Sequence, residues 1–398
     1  MSYNFDIQVD RSGEGAIKWE TAKRFAGSEA DKVIAVSTAD MDFQMCSEIV
    51  EAIRSKAFDR VYGYTCATDE YYQAVISWMQ RRHNWLIQRD WIAPVPGIVP
   101  SLYYCAYAFT EPGDGVIIQP PVYYPFFEFV EKTGRSLITN PLVKNGSSYE
   151  MDFDDLEKKA SLPNAKMLVL CSPHNPVGRV WSKDELQRLA SICVKNGLIV
   201  IADEIHFDIV FPPNRHYAYG NLDPELTKNC IICTSPSKSF NIAGLQVSNL
   251  VIQNPEMKKR YIQAALNCGF YSLNTFAYIG CIAAYEHGEK WFDAMLRYVA
   301  ENDRFVRNYC SENLSQLSIT PLEATYLQWI DFSAIGIDCL EREAIFRKKA
   351  KVFFESGHIF GEQGRDFERL NLAYPRTVIK EVLDRICITL KDSEFYSR

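Results

Sequence analysis

The sequence lacks any uninterrupted apolar run that approaches the roughly 20 residues of a membrane-spanning helix. The first residues, Met1 to Asp6, contain neither the basic segment nor the apolar segment of a secretion signal. These two absences predict a cytoplasmic protein that makes no contact with a membrane.

The chain also has fewer basic residues than acidic residues. The chain has 43 Lys and Arg residues against 50 Asp and Glu residues, which gives a formal net charge of −7. No run of basic residues is long enough to rescue a nucleic-acid function. Because nucleic-acid binding depends on basic surfaces, the composition argues against a nucleic-acid partner.

Several well-known site motifs are missing. The chain has no His-Glu-x-x-His, no Gly-x-Gly-x-x-Gly and no P-loop, so metalloprotease, dinucleotide and P-loop functions lack support. The twelve cysteines are scattered, and only Cys230 and Cys233 lie close in sequence. On a strand, residues three apart face opposite sides, so these two thiols cannot bind one metal ion. We predict reduced, buried thiols and no metal site.

What is present is an α/β pattern in a chain of 398 residues, which is long enough for about two to three domains. A Ser182-x-x-Glu185 capping box begins a predicted helix between two apolar strands, and strand, helix and strand in this spacing indicate a parallel crossover unit. The main strands are predicted over 115–119, 167–171, 198–202, 230–233, 246–252 and 326–330. Helices are predicted over 47–58, 69–84, 182–196, 256–267, 275–287 and 289–313.

Polar residues follow three of the predicted strands. Asn175 lies in the loop after the strand 167–171, Asp203 ends the next strand, and Lys238 follows the strand 230–233. In parallel sheets, ligands bind beyond the carboxyl ends of the strands. We therefore expect these three side chains to share one site.

The segment Ser235-Pro236-Ser237-Lys238 indicates which ligand that site would take. Its two hydroxyls can donate to phosphate oxygens, and the amine can form a Schiff base with an aldehyde. A second anion site is one interpretation of Pro96-Gly97-Ile98-Val99-Pro100, a turn before a predicted helix, and an ordinary loop is the alternative.

With these residues in place, the chain resembles the fold-type I pyridoxal-phosphate enzymes of the class I/II aminotransferase superfamily. More narrowly, it resembles the MalY/PatB-type cystathionine β-lyases, which are carbon–sulfur lyases. The resemblance runs from Ala39-Asp40-Met41-Asp42-Phe43 to Arg369-Leu370-Asn371. It is most specific in three motifs taken together, which are Ser172-Pro173-His174-Asn175-Pro176-Val177-Gly178, Asp203-Glu204-Ile205-His206 and Ser235-Pro236-Ser237-Lys238-Ser239-Phe240-Asn241.

This resemblance implies an α/β fold with a large cofactor-binding domain and a smaller α/β domain. The large domain, residues 46–288, would contain a mostly parallel central sheet flanked by helices. Residues 1–45 would form an N-terminal arm, which joins residues 289–398 in the small domain. The resemblance also implies a homodimer with shared active sites.

The same resemblance assigns roles to individual residues. Lys238 would hold the cofactor and remove the Cα proton of the substrate, while Asp203 would keep the pyridine nitrogen protonated. Tyr123 is expected to stack on the cofactor ring and to belong to the catalytic group. The remaining cofactor-binding residues would be Gly97, Ile98, Val99, Asn175, Ile205, His206, Ser235 and Ser237, together with Tyr64 from the neighbouring subunit. Substrate would be bound by Arg369, which grips the α-carboxylate, and by Asp42 and Asn175.

Two positions depart from the pattern of the superfamily. Its transaminases usually carry an arginine eight residues after the Schiff-base lysine. This chain has Gln246 there, which leaves less positive charge beside the phosphate and resembles the lyase branch. Pro236 stands where glycine is common, which removes one backbone N–H.

The implied reaction is α,β-elimination of L-cystathionine or a related cysteine S-conjugate. It would yield a thiol, pyruvate and ammonia, and with cystathionine it would serve methionine synthesis or sulfur scavenging. The alternatives are an aminotransferase that uses the same lysine and a non-catalytic regulator built on this fold. The absence of an added DNA-binding segment and the acidic composition argue against the regulator.

Overall fold

The computed structural model describes residues 3–11, 13–26 and 32–392. Its strands are β1 Ile34–Ala35, β2 Ile92–Val95, β3 Gly115–Ile118, β4 Ser136–Thr139, β5 Val143–Asn145, β6 Ser148–Glu150, β7 Ala165–Cys171, β8 Ile199–Asp203, β9 Cys230–Thr234, β10 Ser248–Val251, β11 Ser318–Ile319, β12 Leu327–Asp331, β13 Val352–Phe353, β14 Glu355–Ser356 and β15 Phe367–Asn371. All six predicted main strands are confirmed, and no strand end differs from its prediction by more than two residues.

The helices are α1 Ile17–Ala26, α2 Ser47–Ala57, α3 Asp69–His83, α4 Ile98–Phe109, α5 Pro125–Lys132, α6 Phe153–Ala160, α7 Lys183–Lys195, α8 Pro224–Thr227, α9 Pro236–Ser239, α10 Pro255–Asn267, α11 Thr275–His287, α12 Glu289–Asn313, α13 Cys339–Ile345 and α14 Arg376–Lys391. The capping box at the start of α7 is confirmed, since the Ser182 side chain accepts from the amide of Glu185 and the Glu185 side chain accepts from the amide of Ser182. None of the helices in the described ranges is long and apolar enough to cross a bilayer.

A seven-stranded sheet forms the centre of the molecule, in the order β2-β10-β9-β8-β7-β3-β4. Strand β10 pairs antiparallel with both of its neighbours, and the other neighbouring pairs are parallel. The prediction of a mostly parallel central sheet is therefore confirmed.

Both faces of this sheet are buried. Along β7, Leu168 and Leu170 belong to one hydrophobic core, whereas Met167 and Val169 belong to a second core on the opposite face. Such burial on two sides is typical of parallel sheets covered by helices. It also explains why the central strands β7, β8 and β9 are nearly continuous apolar runs in the sequence.

The two neighbouring cysteines of β9 show the same alternation. Cys230 lies in the first core and Cys233 in the second, so their thiols point to opposite sides of the sheet as predicted. All twelve cysteines are free thiols in the structure, and most of them are buried.

Strand register places the ends of three parallel strands side by side. Cys171 of β7 pairs with Asp203 of β8, and Asp203 pairs in turn with Cys233 of β9. The residues that follow these strands therefore meet at one edge of the sheet, which is where the predicted site was expected.

A second sheet, in the order β11-β12-β15-β14, is antiparallel throughout. It draws on the C-terminal part of the chain, while β1 near the N-terminus pairs in parallel with β13. Both chain ends thus contribute to this region. The domain boundaries at residues 45 and 288 stay a prediction.

Candidate active site

A cavity of about 230 Å³ lies at the carboxyl edge of the central sheet. All but three of the predicted site residues line it, and they come from both sheets. The lining residues among them are Gly97, Ile98, Val99, Tyr123, Asn175, Asp203, Ile205, His206, Ser237, Lys238 and Arg369.

Lys238 is the amine of this cavity. It lies in the short helix α9, directly after β9, and its Nζ donates to the backbone carbonyl of Ala39 at 2.6 Å. Burial lowers the pKa of Lys238 to about 8, an effect that the nearby Asp40 carboxylate partly offsets. The amine therefore loses its proton more readily than an ordinary lysine, as a nucleophile or a base must.

Asp203 is the buried carboxylate of the cavity. One of its oxygens accepts from the amide of Ile205 at 3.1 Å, and Asp203 forms no ion pair with any described residue. Burial raises the pKa of Asp203 to about 7, so a cationic ligand group at this position would be strongly favoured. Strand β8 ends at Asp203, and Ile205 lies in the following turn, so the two residues do not share a strand face.

His206 is buried beside these groups, and its Nδ1 has no hydrogen-bond partner within the described residues. Burial holds the pKa of His206 well below its ordinary value, and the cations Lys238 and Arg369 lower it further. The imidazole is therefore neutral. Its Nδ1 is a buried polar atom that a ligand in the cavity can provide with a hydrogen-bond partner.

Tyr123 lies immediately before α5 and is half-buried in the wall of the cavity. Its ring contacts the rings of Tyr124 and Phe126, with centroids 5.4 and 5.9 Å away. Burial raises the pKa of Tyr123 far above its usual value, so the phenol keeps its proton. The position suits a ring that packs against a planar ligand.

One end of the cavity offers hydrogen-bond donors for an anion. Gly97 to Val99 begin α4, whose first amides have no partner within the helix, and the Ser237 hydroxyl lies on the same lining. Ser235 does not line the cavity. Its Oγ lies 2.7 Å from the carbonyl oxygen of Val247 and accepts from the amide of Ser237 at 3.0 Å, so this side chain caps α9.

Arg369 stands on β15 and reaches the cavity from the second sheet. Its Nη1 donates to Oδ1 of Asn175 at 2.9 Å, and its Nη2 donates to the carbonyl of Ser37 at 2.9 Å and to Glu355 at 3.1 Å. Its Nε has no partner within the described residues, although the side chain is buried. An orphan donor on a buried guanidinium is suited to a carboxylate ligand.

Asp42 and Tyr64 are not brought to this cavity. Asp42 is buried and pairs with Arg11 and Lys18, both at 2.9 Å, so its carboxylate is engaged outside the cavity. Tyr64 is fully exposed on the loop before α3, where it could contact a second molecule.

Sequence reasoning missed several residues of the lining, among them Ala39, Tyr124, Ser248 and Glu355. Tyr124 could have been found as the neighbour of Tyr123. Ala39 acts through its backbone carbonyl, which no side-chain pattern can signal. Glu355 arrives with the second sheet, from a strand of only two residues.

Comparison with known proteins agrees with this geometry. The family model of aminotransferase class I and II matches residues 31–386. The chain belongs to this family. Its structure is similar to that of cystalysin from Treponema denticola, which contains pyridoxal 5′-phosphate, with a TM-score of 0.97 and 40% identity over 98% of this chain and 100% of that chain.

Two further proteins are also similar over almost the whole chain. Cystathionine β-lyase PatB of Bacillus subtilis is 37% identical over 384 residues, which cover 96% of this chain and 98% of PatB. A pyridoxal-phosphate-bound C–S lyase from Staphylococcus hominis, complexed with L-cycloserine, has a TM-score of 0.92 and 32% identity, with 98% of each chain covered. The assignment of this chain to fold type I, and its resemblance to the carbon–sulfur lyases, are confirmed.

The residues of the cavity fit the cofactor of this family. An unpaired buried carboxylate, an amine with a lowered pKa and an unsatisfied imidazole nitrogen are the groups that a phosphorylated pyridine aldehyde needs around it. Donors for a phosphate lie at the start of α4 and at Ser237. These groups therefore fit the cofactor.

Proposed function

We propose that this protein is a pyridoxal-phosphate-dependent carbon–sulfur β-lyase, which eliminates a thiol from L-cystathionine or a related cysteine S-conjugate. The products are the thiol, pyruvate and ammonia. The observation that carries the proposal is one cavity that joins the Lys238 amine, the Asp203 carboxylate and the Arg369 guanidinium. The names of PatB and of the C–S lyase structure support it.

The cofactor, when bound, supplies a sink for the electron pair left behind as the Cα proton departs. Asp203 would hold a proton on the pyridine nitrogen, and the Nδ2 of Asn175 can donate into the cavity because its Oδ1 already accepts from Arg369. Arg369 would fix the substrate through its α-carboxylate, which orients the Cα–H bond toward Lys238. Lys238 would then take the proton and can return one to the leaving group.

Gln246 favours elimination over transamination. It lines the cavity, where many transaminases of the superfamily have an arginine, and it adopts a left-handed backbone conformation with φ of 55°. A neutral amide leaves less positive charge beside the phosphate donors. Since the same lysine serves both reactions, product analysis must decide between them.

Incubation with L-cystathionine should release pyruvate and thiol in equal amounts, whether or not a keto acid is present. An elimination regenerates its own cofactor, so no amino-group acceptor is required. Pyruvate would be measured with lactate dehydrogenase and thiol by a colorimetric reagent. Turnover that occurs only when a keto acid is added would identify an aminotransferase and contradict the lyase.

We propose further that two copies associate in the cytoplasm and share their active sites. A short stretch before α3 exposes four large hydrophobic side chains, and such a group is unusual on a monomer. The exposed fractions are 70% for Phe58, 72% for Val61 and 55% for Tyr62, and Tyr64 is fully exposed. A second copy that covers this surface could bring Tyr64 to the phosphate end of its cavity.

Mixing Tyr64→Ala subunits with Lys238→Ala subunits should restore part of the activity. Each hybrid dimer contains one site that has both Tyr64 and Lys238, so random exchange should recover up to about a quarter of the wild-type rate per subunit, because half of the dimers are hybrids and each carries one intact site of two. Exchange would be followed with two affinity tags. Efficient exchange without any recovery would show that the site is not shared.

With L-cystathionine as substrate, the thiol released is homocysteine. Methylation of its sulfur gives methionine, so the proposed reaction supplies the precursor of a methyl transfer. We propose methionine synthesis as the role on this basis. A preference for other cysteine S-conjugates in the assay above would favour sulfur scavenging instead.

A further inference from the structure

The Glu355 carboxylate accepts a hydrogen bond from the Arg369 guanidinium, which is expected to bind the substrate. It lies on β14 directly opposite Arg369 on β15, so the two are a cross-strand pair. The Glu355 Oε2 lies 3.1 Å from Nη2 of Arg369, and both residues line the cavity. A protein carboxylate thus stands beside the group that would receive the substrate carboxylate.

The hydrogen bonds of Arg369 indicate that the Glu355 carboxylate and the substrate carboxylate compete for the same N–H donors. A guanidinium has five N–H donors, two of them on Nη2, and a carboxylate that binds it through two parallel bonds uses either Nε with Nη2 or Nη1 with Nη2. Both Nη2 donors are taken, one by the carbonyl of Ser37 and one by Glu355. Bidentate binding of a substrate must therefore displace one of these two acceptors.

Glu355 is the acceptor that can withdraw. The carbonyl of Ser37 belongs to a backbone segment whose next carbonyls are also fixed, that of Thr38 by Asn371 and that of Ala39 by Lys238 and Tyr326. A carboxylate at the end of a side chain can move by rotation alone.

We propose that Glu355 is an internal competitor of the substrate carboxylate, which occupies Arg369 in the empty site and releases it when an amino acid binds. The inference rests on the proposed function, in which Arg369 binds the α-carboxylate. Glu355 thereby lowers the affinity of the site for a carboxylate ligand. It favours ligands that make further contacts in the site besides those of the carboxylate.

The charges around Glu355 determine how this competition depends on pH. Arg369 and Arg347 favour its ionised form, while Glu343 opposes it and the Tyr123 and Tyr124 hydroxyls lie nearby. Burial is the largest effect and raises the pKa of Glu355 above its ordinary value. Below that raised pKa the side chain becomes neutral and competes less, so carboxylate affinity should rise as the pH falls.

A purely supporting role for Glu355 predicts the opposite outcome. If the carboxylate only holds Arg369 in place, its removal loosens the guanidinium and weakens binding of every substrate. The two roles can therefore be separated by the sign of the change in affinity.

The test compares Glu355→Gln with wild type in the cofactor-loaded enzyme. The probe is 3-(methylsulfanyl)propanoate, which has the carboxylate and thioether of S-methylcysteine but no amino group and so cannot react. Calorimetry should give a dissociation constant at least about 10-fold lower for Glu355→Gln, because a charge-assisted hydrogen bond no longer has to be broken. With S-methyl-L-cysteine, KM should fall more than kcat changes.

Glu343→Gln is the matched control. Glu343 belongs to the same charged group but pairs with Arg347 and not with Arg369, so this variant should bind the probe as wild type does. An equal or higher dissociation constant in Glu355→Gln would overturn the proposal. If that variant does not fold, a pH series on wild type decides, and an affinity that does not rise as the pH falls would overturn it.

Failure of the proposed function gives a different pattern. If Arg369→Ala binds the probe as well as wild type does, Arg369 is not the carboxylate site, so its role in the proposed function and the competition with Glu355 are both wrong. If Arg369→Ala loses binding while Glu355→Gln leaves it unchanged, the carboxylate site stands and only the competition is refuted.

Discussion

Lys238→Ala should lower turnover at least about 1,000-fold, which corresponds to roughly 4 kcal/mol of activation free energy. The substitution removes the only amine that lines the cavity in the described part of the chain, and with it the proposed attachment point of the cofactor and the proposed proton acceptor. Borohydride reduction of the loaded wild-type enzyme, followed by mass spectrometry of a digest, should show the cofactor attached at Lys238.

Lys132→Ala serves as the control for that experiment. Lys132 is exposed on α5 and pairs with Glu128 at 2.6 Å, far from the chemistry, so its loss should leave rate and labelling as in wild type. Near-normal turnover of Lys238→Ala, or cofactor fixed to another lysine, would show that the assignment of the amine is mistaken.

Asp203→Asn should lower kcat at least about 100-fold, or roughly 2.7 kcal/mol. The change keeps the size of the side chain and an oxygen that can accept from the amide of Ile205. It removes the negative charge that would keep a pyridine nitrogen protonated, and the electron sink weakens accordingly. Steady-state kinetics with L-cystathionine at saturating cofactor would measure the effect.

A loss of folding must be separated from a loss of chemistry in this variant. Since a buried charge without an ion-pair partner is costly, we expect Asp203→Asn to be no less stable than wild type when the cofactor has been removed. Thermal unfolding of the cofactor-free proteins would show this. A stable variant with an almost unchanged kcat would mean that Asp203 has only a structural role.

The position of the site could be predicted because it depends on local signals. Apolar strands that end in Cys171, Asp203 and Thr234 are visible in the sequence, and parallel pairing brings their ends together. The polar residues that follow, Asn175 and Lys238, are then neighbours without any knowledge of the rest of the fold.

The details that were wrong or missed depend on contacts that are distant in sequence. Ser235 and Ser237 look alike in the chain, yet one caps α9 while the other lines the cavity, and only the position of the Val247 carbonyl distinguishes them. Edge strand β4 and the hairpin of β5 and β6 are short and mostly not fully buried, so their apolar pattern is weak. Glu355 is brought to Arg369 by a strand pairing that no local rule predicts.

The pairing of β1 with β13 has a consequence for the newly made chain on the ribosome. Ile34 and Ala35 are translated long before their partners Val352 and Phe353. Thr38 and Ala39, which line the cavity, belong to the segment that must wait. The wall of the active site that they form can therefore close only after β13 has been made, long after the cavity residues of the central sheet.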